Sequence, residues 1–130
     1  TQRTESIGLT PAQRTALLDG MIGCTTYGTA SKIMNLLPIP GVTIAGKTGT
    51  AQLRVKPGDK VVTINIAWFI CFAPADKPEI AMAVAVKGDT GGESLEGGRV
   101  AAPIANAVLR KYFEKKNRPA DQKLAPFKVE

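Results

Sequence analysis

The chain has 130 residues, 44% of them apolar, a net charge of +6, two cysteines and no histidine. That length and apolar share suit one domain with a buried core; the absence of histidine excludes a Ser-His-Asp or Cys-His triad and a His-ligated zinc site, and two cysteines exclude a four-cysteine metal centre and a disulfide scaffold. No apolar run reaches membrane-spanning length: the longest, from Ile64 to Ala75, is interrupted by polar and small residues and by Pro74.

In chain order, Thr1 to Gly8 read as a polar lead-in. Thr10 as N-cap, Pro11 at the first helical position and Gln13 at the third make a capping box. The helix they start carries Leu17, Leu18 and Met21 on its apolar face and weakens at Gly20 and Gly23. Gly28-Thr29-Ala30 opens a second short helix with Ile33, Met34 and Leu37, stopped by Pro38 and Pro40 and punctuated by Gly41.

From Val42 the periodicity changes to that of a strand continuing to Leu53, and Lys56-Pro57-Gly58-Asp59 is a turn. Val61 to Phe72 is the most strand-like segment, with Trp68 and Phe69 expected in its core and Cys71 as buried filler. A turn at Ala75-Asp76-Lys77-Pro78 leads to a third strand, Glu79 to Val86. Short turns between three strands predict an antiparallel meander. Gly88 to Gly98 is glycine-rich and reads as a loop, with Gly91, Gly92, Gly97 and Gly98 as its flexible points. Ala101, Ile104, Ala105, Val108, Leu109 and Tyr112 fall on one face of a final helix whose first turn holds Pro103.

The expected fold is therefore α+β: a three-stranded antiparallel sheet with N- and C-terminal helices packed on it, over residues 1–116. Residues 117–130 are expected to be a disordered or loosely packed tail. The basic residues crowded at this end (Arg110, Lys111, Lys115, Lys116, Arg118, Lys123 and Lys128) read as a solvated helix end, because aromatic residues make up only 5% of the chain and do not alternate with the basic ones to form a stacking platform for bases. No nucleic-acid partner is expected.

Two overlapping motifs lie within Gly41 to Gln52. Gly41-x-x-x-x-Gly46-Lys47-Thr48 matches a phosphate-binding loop, and a nucleotide-binding protein is one reading of the chain. Such a loop needs a buried strand before it and a helix after it. Here Leu37-Pro38-Ile39-Pro40 precedes, β-branched Val42-Thr43-Ile44 fills the interior, and Gly49 follows. The second motif is Lys47-Thr48-Gly49-Thr50 within a strand. Alternation puts both threonine hydroxyls on one side, Gly49 leaves room for another backbone, and Lys47 adds a positive charge. That combination suits an extended substrate ending in a carboxylate.

Ala45-Gly46-Lys47-Thr48-Gly49-Thr50-Ala51-Gln52, with Gly28-Thr29-Ala30 before it, Ala67-Trp68-Phe69-Ile70-Cys71-Phe72-Ala73-Pro74 after it, and Gly97-Gly98 leading to Ala101-Ala102-Pro103-Ile104-Ala105, strongly resembles the penicillin-binding proteins. The likeness is to the transpeptidase domain of their monofunctional class B members and covers Thr10 to Phe113. It implies the β-lactamase/transpeptidase-like fold, and an activity in which a serine of a Ser-x-x-Lys motif attacks the D-Ala-D-Ala bond of a peptidoglycan stem peptide without any histidine. It also implies roles: Lys47 and Thr50 in catalysis, the Thr50 N–H as one of two oxyanion-hole donors, and Thr48, Gly49, Thr50 and Gln52 along the substrate.

The sequence departs from the family pattern in having neither Ser-x-x-Lys nor Ser-x-Asn: the third residue after Ser6, Ser31 and Ser94 is Leu9, Met34 and Gly97, and none has Asn two residues on. The expectation is a C-terminal portion of such a domain, inactive alone, with the nucleophile elsewhere. Its partners would be stem peptides, β-lactams and the N-terminal part of the same domain, or a second copy through an exposed sheet. The resemblance implies no cofactor or metal and an extracytoplasmic location. A β-lactam sensor of the same fold is the alternative.

Overall fold

A computed structural model describes residues 5–89 and 94–118. The capping box forms as the sequence predicts. The Gln13 N–H reaches the Thr10 hydroxyl at 3.3 Å and the Thr10 N–H reaches the Gln13 side-chain oxygen at 2.9 Å, starting helix α1, Pro11–Thr26. Helix α2 is Ser31–Leu36, and the strands are β1, Ala45–Val55; β2, Val62–Ala73; and β3, Ile80–Lys87. A single wide helical turn, Gly97–Ala101, whose Gly97 carbonyl accepts from the Ala102 N–H, runs into helix α3, Ala102–Lys116. Pro103 sits in the first turn of α3, where its missing N–H costs nothing.

The strands form one antiparallel sheet in the order β1-β2-β3. Thr48 faces Phe69 and Thr50 faces Ala67 across β1 and β2, and Phe69 in turn faces Val84 across β2 and β3. One face of the sheet thus carries Gly46, Thr48, Thr50, Ala67, Phe69, Cys71, Met82 and Val84. The wide turn and α3 cover it, and Ala67, Phe69, Cys71, Ala101, Ala102, Ala105, Leu109 and Phe113 join one core. Helix α1 packs its last turn, Gly23–Thr25, against the start of β1, where the Thr25 hydroxyl donates to the Ile44 carbonyl at 2.6 Å. The fold class is the α+β arrangement expected.

Several local expectations are corrected. Strand β1 begins at Ala45 rather than Val42, because the chain is still turning there: the Val42 N–H bonds the Ile39 carbonyl, and Gly41 has φ 71°. Trp68 is not core. Neighbouring strand residues point to opposite faces, so with Phe69 fully buried Trp68 is on the other side, 40% exposed. In α1, Leu17 is exposed and Leu18 and Met21 are half-buried along an open cleft with Phe72, while the buried part is the glycine-containing last turn.

The buried stripe of α3 is Ala102, Ala105, Asn106, Leu109 and Phe113, leaving Ile104 and Val108 exposed. The polar member of that stripe is Asn106. It is fully buried, and its amide donates to the Leu37 carbonyl just past α2 at 3.1 Å and to the Ile33 carbonyl at 3.3 Å, which also accepts from the Leu37 N–H. Lys47 and Thr48 lie inside a strand with no helix following, so the phosphate-binding-loop reading fails on its required context. The basic end of α3 is solvated apart from Lys116, which pairs with Glu79 of the β2–β3 connection, and Lys111, which pairs with Glu114. The expected tail lies outside the described residues except for Asn117 and Arg118, and Gly91 and Gly92 also lie outside them.

Candidate active site

The chemistry-bearing strand is an edge of the sheet among the described residues. Which backbone groups it turns outward follows from its neighbour. The Asn65 carbonyl accepts from the Gly88 N–H, just past the end of β3, at 3.0 Å. Along β2, then, Asn65, Ala67 and Phe69 direct their backbone groups toward β3, and Ile66, Trp68 and Ile70 direct theirs toward β1. The β1 residues opposite Ala67 and Phe69 are Thr50 and Thr48, and their N–H and C=O groups consequently point off the open edge. The Lys47 ammonium, which donates to the outward Thr48 carbonyl at 2.8 Å, agrees with this assignment.

Lys47 itself projects from the face opposite the two threonines, level with Ile70. The edge is therefore flanked from both sides, by the ammonium on one and the hydroxyls of Thr48 and Thr50 on the other, with the Thr50 N–H between them. Gln52 continues the threonine side opposite Asn65. Lys47, Thr50 and Gln52 are exposed and Thr48 and Gly49 are half-buried. Thr48 is less free than the sequence suggests, because its hydroxyl is 2.6 Å from the Thr29 hydroxyl.

Two further features were not legible in the motif. Gly49 is not the glycine of close approach: a Cβ there would meet only the Trp68 Cβ, at 3.4 Å. That role belongs to Gly97 and Gly98, read from the sequence as loop points. A Cβ on Gly97 would run into the Trp68 carbonyl and come within 2.7 Å of the Gly49 carbonyl oxygen, and one on Gly98 would strike the Thr29 carbonyl. The backbone of the wide turn thus lies directly on the β1–β2 ladder behind the motif. The doublet just before the Ala-Ala-Pro helix start was the available signal.

The second feature is Cys24, whose sulfur is 3.5 Å from the Thr29 hydroxyl. Burial pushes this thiol up, but the Thr29 hydroxyl, the N–H groups of Thr48 and Ala30 and the nearby Lys47 charge outweigh it and hold the thiol below its ordinary value. Cys71, in the core, has no such partners, and burial alone raises it to about 11. Both cysteines are unbridged. Among the described residues no three His, Cys, Asp or Glu side chains gather as a metal site.

The chain carrying this edge also matches a known family. Residues 10–110 match the model for the penicillin binding protein transpeptidase domain. The chain belongs to that family. It is 48% identical over 71 residues to the peptidoglycan D,D-transpeptidase PbpA of Mycobacterium tuberculosis, covering 55% of this chain and 14% of that protein. It is 44% identical over 72 residues to the stage V sporulation protein D of Bacillus subtilis, covering 55% of this chain and 11% of that one. The transpeptidase domain of the FtsI4 D,D-transpeptidase from Legionella pneumophila superposes with a TM-score of 0.57 at 27% identity, over 80% of this chain and 37% of that domain. The architecture is the β-lactamase/transpeptidase fold, and the chain spans about a seventh or less of the length of these two sequence relatives.

Proposed function

We propose that this chain forms the Lys-Thr-Gly-Thr wall of a serine D,D-transpeptidase that crosslinks peptidoglycan stem peptides and is acylated by β-lactams. The observation that carries the reading is the open edge of β1, where the outward Thr50 N–H lies between the Lys47 ammonium and the Thr48 and Thr50 hydroxyls. An extended peptide pairs with such an edge as an added strand. Its terminal carboxylate meets the ammonium and the two hydroxyls, and Gln52 lies further along the same strand.

The sequence holds no Ser-x-x-Lys, so in this reading the nucleophile comes from a part of the polypeptide outside these residues. The serine oxygen bonds to the carbonyl carbon of the D-Ala-D-Ala amide. The negative charge that develops on the carbonyl oxygen is held by the Thr50 N–H and by the N–H of the serine. The C–N bond breaks, the terminal D-alanine leaves with the proton, and an amine of a second stem peptide then displaces the serine to form the crosslink. The chain alone is inactive.

The substrate places the protein outside the cytoplasm. Among the described residues no helix is long and apolar enough to cross a membrane. The open sheet face around Trp68 and Ile70 is where the remainder of the same domain would sit, with self-association through that face as the competing use.

The test is to incubate the complete polypeptide that carries this segment with a fluorescent penicillin and to find the labelled residue by mass spectrometry. The expected result is an adduct on a serine outside this sequence, with the acylation rate falling about a hundredfold in Lys47→Ala. An adduct without any turnover of stem peptide identifies a sensor instead. No adduct on folded protein overturns the reading.

A further inference from the structure

The Gly28-Thr29-Ala30 turn is held more tightly than a connection between two helices requires. The Gly28 N–H bonds the Gly23 carbonyl at 2.8 Å, and a Cβ on Gly28 would come within 2.8 Å of the Cys24 Cα. The Ala30 N–H bonds the Cys24 carbonyl at 3.0 Å, and Ala30 is fully buried. Thr29 is fixed between these two anchors. Gly98 closes on it from the other side: a Cβ there would strike the Thr29 carbonyl and stand 3.5 Å from the Thr48 methyl group. What the turn presents from this fixed position is one hydroxyl, 2.6 Å from that of Thr48.

We propose that Thr29 is a positioning residue for substrate recognition: its hydroxyl donates to the Thr48 oxygen and so leaves the Thr48 proton aimed at the substrate carboxylate. The inference rests on the transpeptidase reading, in which Thr48 contacts that carboxylate. A hydroxyl has one proton to give, and a free Thr48 rotor would spread it over three staggered directions. With Thr29 donating to it, the Thr48 oxygen uses a lone pair inward and keeps its own proton for the ligand. With Cys24 protonated, its S–H, 3.5 Å behind the Thr29 oxygen, donates to Thr29 and leaves the Thr29 proton for Thr48; the Thr29 donation that favours the thiolate applies only once Cys24 ionises. The Gly-Thr-Ala segment then has a physical reason for each residue: close approach at Gly28, a hydrogen bond at Thr29 and burial at Ala30.

The experiment uses the complete polypeptide and compares Thr29→Val, which keeps the shape and loses the hydroxyl, with Thr29→Ser, which keeps the hydroxyl. Second-order acylation rates are measured with a penicillin and with its carboxylate methyl ester, and melting temperature is followed in parallel. Thr29→Val is expected to slow acylation by the free acid about fivefold, the worth of one neutral hydrogen bond. The ester is expected to be little affected, Thr29→Ser to restore the rate, and Thr29→Val to add nothing when Thr48 is already valine. Equal losses for acid and ester, equal losses in Ser and Val variants, or a Thr29→Val rate equal to wild type would each overturn the proposal. In the last case a slow Thr48→Val variant leaves the transpeptidase reading standing. A wild-type protein that no penicillin labels takes both down together.

Discussion

On one face of the sheet Phe69 and Cys71 alternate beneath α3 and the wide turn, fully or almost fully buried. On the other, Trp68 and Ile70, one residue away in each case, stand 40% and 47% exposed. The same strand supplies both sets, and neither set is the more apolar. What separates them is only which elements the described chain brings over each face. The small residues record the difference: Ala85, Ala83 and Ala81 of β3 are exposed opposite Trp68, Ile70 and Phe72, while Met82, Val84 and Val86 pack on the core. Apolar composition on a strand therefore says that a face is to be covered without saying by what.

The largest effect expected from this contrast is in the pair Phe69→Ala and Trp68→Ala. Emptying the Phe69 site should cost about 4 kcal/mol in urea unfolding, whereas truncating Trp68 should cost about 1 kcal/mol or less in this chain. Similar costs for the two would mean that the open face is already covered. Next comes the glycine contrast between the ladder and the turn lying on it. Gly97→Ala forces backbone apart and should cost about 3 kcal/mol, while Gly49→Ala meets only ordinary contact with Trp68 and should cost far less. A reversal of that order would place the close approach at Gly49 after all.

The smallest effect separates the two cysteines by pH. Cys71 titrates at about 11 when folded against an ordinary 9.0, so the native state favours its neutral form. Its contribution is fully present below pH 9 and is lost as pH rises from about 9 toward 11, about 1 kcal/mol by pH 10. Unfolding measured against pH should show a shallower alkaline loss in Cys71→Ala than in wild type. Cys24 has the opposite sign, since its folded value is lowered: its thiolate adds stability above the ordinary value, and that is lost as pH falls through the folded one. Cys24→Ala should therefore steepen the alkaline loss.

Much of this was written locally. Thr10, Pro11 and Gln13 specify a helix start by hydrogen bonds within four residues, and Lys56-Pro57-Gly58-Asp59 and Ala75 to Pro78 separate three strands whose bounds the structure moves by three residues at most. Lys47-Thr48-Gly49-Thr50 announces a strand with two hydroxyls on one side because alternation is a property of the strand itself. Features that depend on a distant segment were not legible. The register with β2 decides that the Thr50 N–H faces outward. Asn106, whose amide meets the Ile33 and Leu37 carbonyls, takes a place in the buried stripe of α3, while Ile104 and Val108, which apolar spacing puts there, stay exposed. The Gly97-Gly98 doublet looked like a loop because glycine is ambiguous between freedom and tightness, and only the Trp68 carbonyl lying against it resolves which one applies. Sequence alone determined the elements and the chemical character of the edge strand, since both rest on interactions a few residues long. Tertiary structure alone decided which faces are buried, which glycines are tight and which hydroxyl Thr48 meets, because each of those is set by backbone arriving from far along the chain.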